Sequence, residues 1–362
     1  MNYRSPVLLD TVSIASSGTK VVDIDLLDKI SRITVLVDLL NENYIPTGHP
    51  VAALKTIEII DGSKVIHSLS GFQSQALSYY SNGKMDHNEL NYENNGYCRA
   101  AVTINFGRYL WDELYALDPT KFRNLQLRIV HNKALGGCLP VAGDLRVLAD
   151  LFDEKVITPV GYFAAKEVFS YTPVQASTEY ITLPTDHPIR LLIPMNSNDN
   201  EEPDIQFETI KIDEDDGKHV IFDGKCIDLI RMEANVRDRF TEYMSGRVGT
   251  GGEEFYLSAC KDIMFGINGS SGTAGYFHGA WSGGSLRSIK GSATVEFGGS
   301  VSGRCPHGAV PFFFGKAADP DDWWDVGRIG KARIQLTPRA TAGGGCDGNK
   351  TNDVIIQTAV NY

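Results

Sequence analysis

Eight histidines, His49, His67, His87, His131, His187, His219, His278 and His307, are the side chains best suited to hold a transition metal or move a proton near neutral pH. No two of them stand at i, i+2 or i, i+4, the spacings that aim two imidazoles at one ion from a strand or a helix. All eight are therefore expected as surface or core residues. The acidic run Asp213-Glu214-Asp215-Asp216 offers oxygen ligands to a hard cation, but it lacks the spaced ligands and closing glutamate of a calcium loop. A solvated hairpin tip is expected there. Gly246, Gly249, Gly251 and Gly252 imitate a phosphate cradle without the Lys-Ser or Lys-Thr that completes one, and no Gly-x-Ser-x-Gly elbow is present. Carboxylates from distant positions could still meet in space, which spacing does not reveal. No catalytic, cofactor-binding or metal-ligating residue is assigned, and no cofactor is expected.

The elements that would position any such chemistry read as strands. Ala53 to Ile60 is an apolar, β-branched run, Asp61-Gly62-Ser63 a turn, and Lys64 to Leu69 a second run. So short a connection requires antiparallel neighbours and excludes a nucleotide-binding βαβ unit at this point. Further strands are expected at Ile33 to Val37, Ala100 to Phe106, Leu125 to Val130, Leu145 to Leu148, Ile189 to Ile193, Ala332 to Leu336 and Val354 to Ile356. Helical patterns are few: Phe72 to Tyr80, Ile227 to Arg239 and, more weakly, Tyr109 to Leu117.

The strand pattern occurs twice. Thr56-Ile57-Glu58-Ile59, Asp61-Gly62, Val65-Ile66 and Gly71 return as Thr209-Ile210-Lys211-Ile212, Asp216-Gly217, Val220-Ile221 and Gly224. Ala101-Val102, Phe106-Gly107-Arg108, Leu125-Gln126-Leu127, Gly136-Gly137-Cys138 and Asp144-Leu145 return as Ala309-Val310, Phe314-Gly315-Lys316, Ile334-Gln335-Leu336, Gly344-Gly345-Cys346 and Asp353-Val354. The order is collinear and the offset jumps once, which is the signature of a tandem duplication with one insertion in the second copy. The insertion, at about 245–305, is glycine-rich, with strand character of its own at Thr294 to Phe297, and is expected to project outward. An all-β chain follows: an arm over 1–20, an eight-stranded antiparallel sandwich over 21–160, and a second over 161–362.

Composition narrows the function. The chain has 362 residues, 42% hydrophobic, enough for two cores. A net charge of -11 opposes wrapping of phosphate backbones, so no specific nucleic-acid binding is expected. Met1 to Pro6 opens no apolar signal segment, and synthesis in a cytosol is expected. Cys98, Cys138, Cys226, Cys260, Cys305 and Cys346 form no Cys-x-x-Cys pair and are expected to be reduced and structural. The uncharged stretch from Ile263 to Leu286 is too rich in glycine and hydroxyl side chains to span a bilayer. Phe312-Phe313-Phe314 with Trp323-Trp324 are expected in a core. Asn268-Gly269-Ser270 and Asn349-Lys350-Thr351 match the glycan acceptor rule, which carries little weight without a signal.

The hairpin Thr56 to Gly62, the helix that follows Leu69-Ser70-Gly71-Phe72, and their counterparts in the second half resemble the double jelly-roll major capsid proteins of tailless icosahedral bacterial viruses that enclose a membrane. The resemblance runs from about Val21 onward, through order and spacing of elements. It implies two tandem eight-stranded jelly rolls, a homotrimer shaped as a six-sided tile, and an insertion that stands as a tower facing solvent. It also implies neighbouring capsomers, vertex and minor capsid proteins and an internal lipid membrane as partners. Two other readings compete: a jelly-roll glycan-processing enzyme using acidic residues between its domains, and a carbohydrate-binding pair stacking sugars on Trp281 and Tyr276.

Overall fold

The computed structural model describes residues 1–269, 276–278 (backbone only), 284–291, 294–340, 346, 348 and 350–362. Strands dominate it because β-branched and aromatic residues alternate with polar ones. In Ile30–Asn41 the even alternation sends Ile33, Val35, Val37 and Leu39 inward, all fully buried, while their neighbours are half-exposed. Turns carry the residues that their geometry needs. Gly62 links Leu54–Asp61 to Lys64–Leu69 at φ 59°, and the matching turn in the second half runs Asp215, Asp216 and Gly217 through φ 48°, 59° and 91°.

Eight strands make the first sandwich: Val7–Ser13, Ser17–Asp23, Ile30–Asn41, Leu54–Asp61, Lys64–Leu69, Tyr97–Asn105, Leu125–Asn132 and Pro140–Phe152. Eight make the second: Gly161–Tyr171, Glu179–Leu183, Ile189–Asn196, Thr209–Glu214, His219–Lys225, Phe312–Phe313, Ala332–Thr337 and Asn352–Asn361. Counted one to eight in each half, one sheet runs one-eight-three-six and the other two-seven-four-five, every pair antiparallel. That order, repeated without exception, is the jelly roll twice over. Even a side-chain detail repeats. Ser13 donates to Asp144 at 2.8 Å between strands one and eight of the first roll, and Ser170 to Asp353 at 2.7 Å at the matching place in the second.

Several expectations change. Residues 1–20, expected as an arm, carry strand one and the start of strand two of the first roll, because Val7, Leu9 and Val12 find partners on Pro140–Phe152. Tyr109 to Leu117 is not helical: Trp111 takes φ 69°, and the Asp112 carboxylate accepts the Arg108 and Leu114 amides and the Arg108 guanidinium, closing a turn. The second helix is Cys226–Ala234 and stops short of Arg239, since a strand begins at Phe240. The first, Gly71–Asn82, is longer than Phe72 to Tyr80. A capping box between Ser70 and Gln73 opens it, and Gly83 at φ 71° closes it.

The insertion is more ordered than a loop. It contains Phe240–Val248, Glu253–Tyr256, Lys261–Gly269, Tyr276–His278, Leu286–Lys290 and Val295–Arg304, the last extending the run expected at Thr294 to Phe297. Phe240–Val248 pairs in parallel with Asn88–Tyr92 of the first half, so three strands of the insertion extend that half's sheet. Phe255, Ile289 and Val301 join the same buried core as Ile33 and Leu39. Among the described residues no helix is long and apolar enough to cross a membrane.

Candidate functional site

The two rolls and the insertion meet along a polar seam that holds buried His49, Gln73, Gln75, His307 and Asp353. The first-half helix Gly71–Asn82 supplies one side. Gln73 donates to Glu167 at 2.5 Å and to Asp353 at 3.2 Å, both on the second roll, and Ser197 and Ser170 also donate to Asp353. Burial raises the Glu167 carboxyl above its usual range; the Gln73 bond opposes that rise and nearby Asp353 adds to it. Two helical turns on, the Tyr80 hydroxyl donates to the Ala309 carbonyl at 2.8 Å, and Arg237 packs its guanidinium over the Tyr80 ring.

Above this lies a histidine pair that spacing did not foresee. His49, before the fourth strand of the first roll, and His307, beyond the insertion, face each other edge to plane with ring centroids 5.2 Å apart, both against Phe72. His307 Nε2 donates to Gln75 Oε1 at 2.8 Å. His307 itself sits at φ 55° after Cys305 at φ 52°, a left-handed pair that turns the chain out of the insertion. Burial pushes the His307 imidazole down to about 3 and His49 well below 6.5, so both are neutral. A cleft of about 400 Å³ opens beside them, lined by His49, Phe72, Met195, Asp199, Tyr256 and His307 among others.

The other sequence candidates are dispersed. His67 and His131 are buried, whereas His87, His187 and His219 are exposed; the His278 side chain lies outside the described residues. Among the described residues no cluster of three or more His, Cys, Asp or Glu is placed to hold a metal. All six cysteines are buried, and none forms a disulfide. The acidic turn is not a solvated tip throughout, because Asp213 is fully buried against Arg333 at 3.0 Å and Gln335 at 2.5 Å. Asp215 caps the Gly330 and Lys331 amides, and Asp216 pairs with Lys331 and Arg333. Phe314 stacks on Trp324 at 4.7 Å and Trp323 packs on Tyr115 and Phe163; Phe314, Trp323 and Trp324 are buried as expected, whereas Phe312 and Phe313 stay half-buried. Gly246 lies in a strand against the Phe255 ring, where a Cβ would come within 2.6 Å of it, and is no part of a phosphate loop. Trp281 and the Tyr276 side chain lie outside the described residues.

The chain is two jelly rolls paired edge to edge, with several buried polar groups bonded across the joint. Solved structures carry the same architecture. The STIV MCP, from Sulfolobus turreted icosahedral virus, matches with a TM-score of 0.61 over 99% of this chain and 96% of that one, at 10% identity. The major capsid protein P2 of bacteriophage PM2 matches at 0.57 over 99% and 98%, with 9% identity. PBCV-1 VP54 matches at 0.56 over 99% and 94%, with 11% identity. The chain therefore has the double jelly-roll fold of viral major capsid proteins. No family model matches the sequence, and no curated protein matches it.

Proposed function

We propose that this chain is a major capsid subunit that trimerises into pseudo-hexagonal tiles of an icosahedral viral shell. The observation that carries the reading is the complete repetition of one eight-strand order in a single chain, with the two copies joined by sheet pairing. A threefold assembly of such a chain presents six similar faces, which tile a surface. Closed sandwiches hide most strand edges, and an acidic surface keeps free subunits apart before assembly.

In this reading the first tile unit begins at strand one, Val7–Ser13, and runs to about 160, 161–362 is the second, and the insertion is the solvent-facing tower. The subunit is made in a host cytoplasm and ends in the virion. Its partners are further copies of itself, neighbouring capsomers, vertex and minor capsid proteins and, below the shell, a lipid membrane. Its role is structural, with no catalytic, cofactor or metal site. Size-exclusion chromatography with light scattering and negative-stain microscopy tests this: trimers with a hexagonal outline are expected. A chain that stays monomeric at every concentration, alone and with the other virion proteins, overturns it.

A further inference from the structure

Besides the pairing of the insertion with Asn88–Tyr92, one joint pairs an edge strand of each roll directly. Strand five of the first roll, Lys64–Leu69, pairs in parallel with strand one of the second, Gly161–Tyr171, placing His67 opposite Ala165 and Ser68 opposite Lys166. The duplicated topology creates the same two edges once more and leaves both open. Strand five of the second roll, His219–Lys225, pairs on one side only, with Thr209–Glu214. Strand one of the first roll, Val7–Ser13, pairs on one side only, with Pro140–Phe152. Among the described residues neither has a second partner strand.

The open edges carry apolar side chains that the closed joint covers. Val220 is 42% exposed and Val7 38%, with Phe222, Leu8 and Leu9 half-buried. At the joint already made, Ile66 and His67 are only 1% and 3% exposed. An open edge with apolar flanks is a template for pairing with another chain.

We propose that the open strand five of one copy pairs in parallel with the open strand one of the next, repeating between chains the joint that exists within each. The duplication also sets the register. His67 lies opposite Ile59 as Phe222 lies opposite Ile212, so Ser68 corresponds to Asp223. Lys166 lies opposite Ile356 as Leu9 lies opposite Val147. Asp223 of one copy thus faces Leu9 of the next. The contact is head to tail, the kind that closes a ring when its rotation divides a full turn. The inference rests on the trimeric tile proposed above and names the surfaces that build it.

Disulfide trapping tests it. Neighbouring strands lie about 4.8 Å apart, within the Cα separation a disulfide spans, and the native cysteines are all buried. Oxidising the double variant Leu9→Cys/Asp223→Cys is expected to yield a trimer that stays covalent on a denaturing gel and that reductant returns to monomer on that gel, while neither single variant cross-links. Trimers seen by light scattering that refuse the cross-link overturn the edge assignment and leave the tile intact; a protein that never trimerises overturns both. Hydrogen exchange on the unaltered chain guards against a folding defect in the variant. Amides of 7–13 and 219–225 are expected to exchange at least about tenfold more slowly in the assembled state than in the dilute monomer. Unchanged rates in both segments overturn the proposal.

Discussion

Ser258 Oγ lies 3.1 Å from His49 Nε2, a bond that ties the insertion to the first roll across 209 residues of chain. It also fixes the proton. His49 Nδ1 accepts the Val51 amide at 3.2 Å, so Nε2 carries the hydrogen and donates it to the serine. A second proton on this ring would set two N–H groups against each other.

Acid is therefore expected to loosen the seam. His49, His67 and His307 all have imidazoles depressed by burial, the last two to about 3, so below about 6.5 the unfolded chain takes up protons that the folded chain refuses. Each contributes stability that is present above that pH and lost as the pH falls, by up to about 1.4 kcal/mol per pH unit. Asp86 and Glu242 act the other way: burial raises both to about 6, and they bind protons first in the folded state. His131 and His187 are lowered by burial as well, and Asp38, Glu167, Asp199 and Glu202 are raised as well. The imidazoles begin to oppose folding near 6.5, above the range in which the carboxyls take up protons, so stability falls first as the pH drops below about 6.5. Urea unfolding between pH 7.5 and 4.5 is expected to show it, and His49→Gln is expected to flatten the slope by close to one proton; an unchanged slope would refute the assignment.

The Gln73 side-chain amide bridges Glu167 and Asp353, and its oxygen accepts the Ser70 amide that begins its helix. Gln73→Ala removes a buried donor from two carboxylates and is expected to cost about 1–3 kcal/mol in chemical denaturation. Gln73→Glu sets a third carboxylate there and is expected to cost more at pH 7.5. Its deficit should shrink below about pH 5, where carboxyl groups protonate. A deficit independent of pH would point to the lost cap and not to charge.

What was legible in the sequence is what depends on local periodicity. Alternation in Ile30–Asn41, the Gly62 and Gly217 turns, and the anchors Thr56/Thr209 and Asp144/Asp353 each sit within a few residues, and each occupies matching strands in the two rolls. The seam was not legible, because His49 and His307, or Gln73 and Asp353, meet only after both rolls have closed. The turn around Asp112 misled the helix expectation for a related reason: Tyr109 to Leu117 has apolar residues at helical spacing, but one carboxylate with three donors outweighs weak propensity. The insertion's glycines hid its strands. Gly246 and Gly303 clear space for Phe255 and Ala259, so they record close packing where composition suggests looseness.

That packing changes what removal of the insertion should do. Phe255 is fully buried between Tyr92 of the first half and Phe297, with ring centroids at 5.6 and 5.1 Å. Phe255→Ala is expected to destabilise the chain by about 3–5 kcal/mol, measured by urea unfolding. Deleting residues 245–304 strips the same contacts together and is expected to yield a protein that binds a hydrophobic dye and aggregates. A soluble deletion variant with unaltered stability would show the insertion to be a separable tower.

Asp213 supplies the last test, because its carboxylate is fully buried and meets Arg333 through both oxygens, with Gln335 as a further donor. Removing one partner from such a pair leaves the other charge stranded, which costs about 3–5 kcal/mol. Arg333 is partly accessible and keeps Asp216, so Asp213→Ala is expected at or below the lower end of that range. A calcium site in this turn predicts something different: the wild-type melting temperature would rise in millimolar calcium and the rise would vanish in the variant. Because the turn's acids are committed to Arg333, Lys331 and the Gly330 and Lys331 amides, no calcium-dependent shift is expected in either protein.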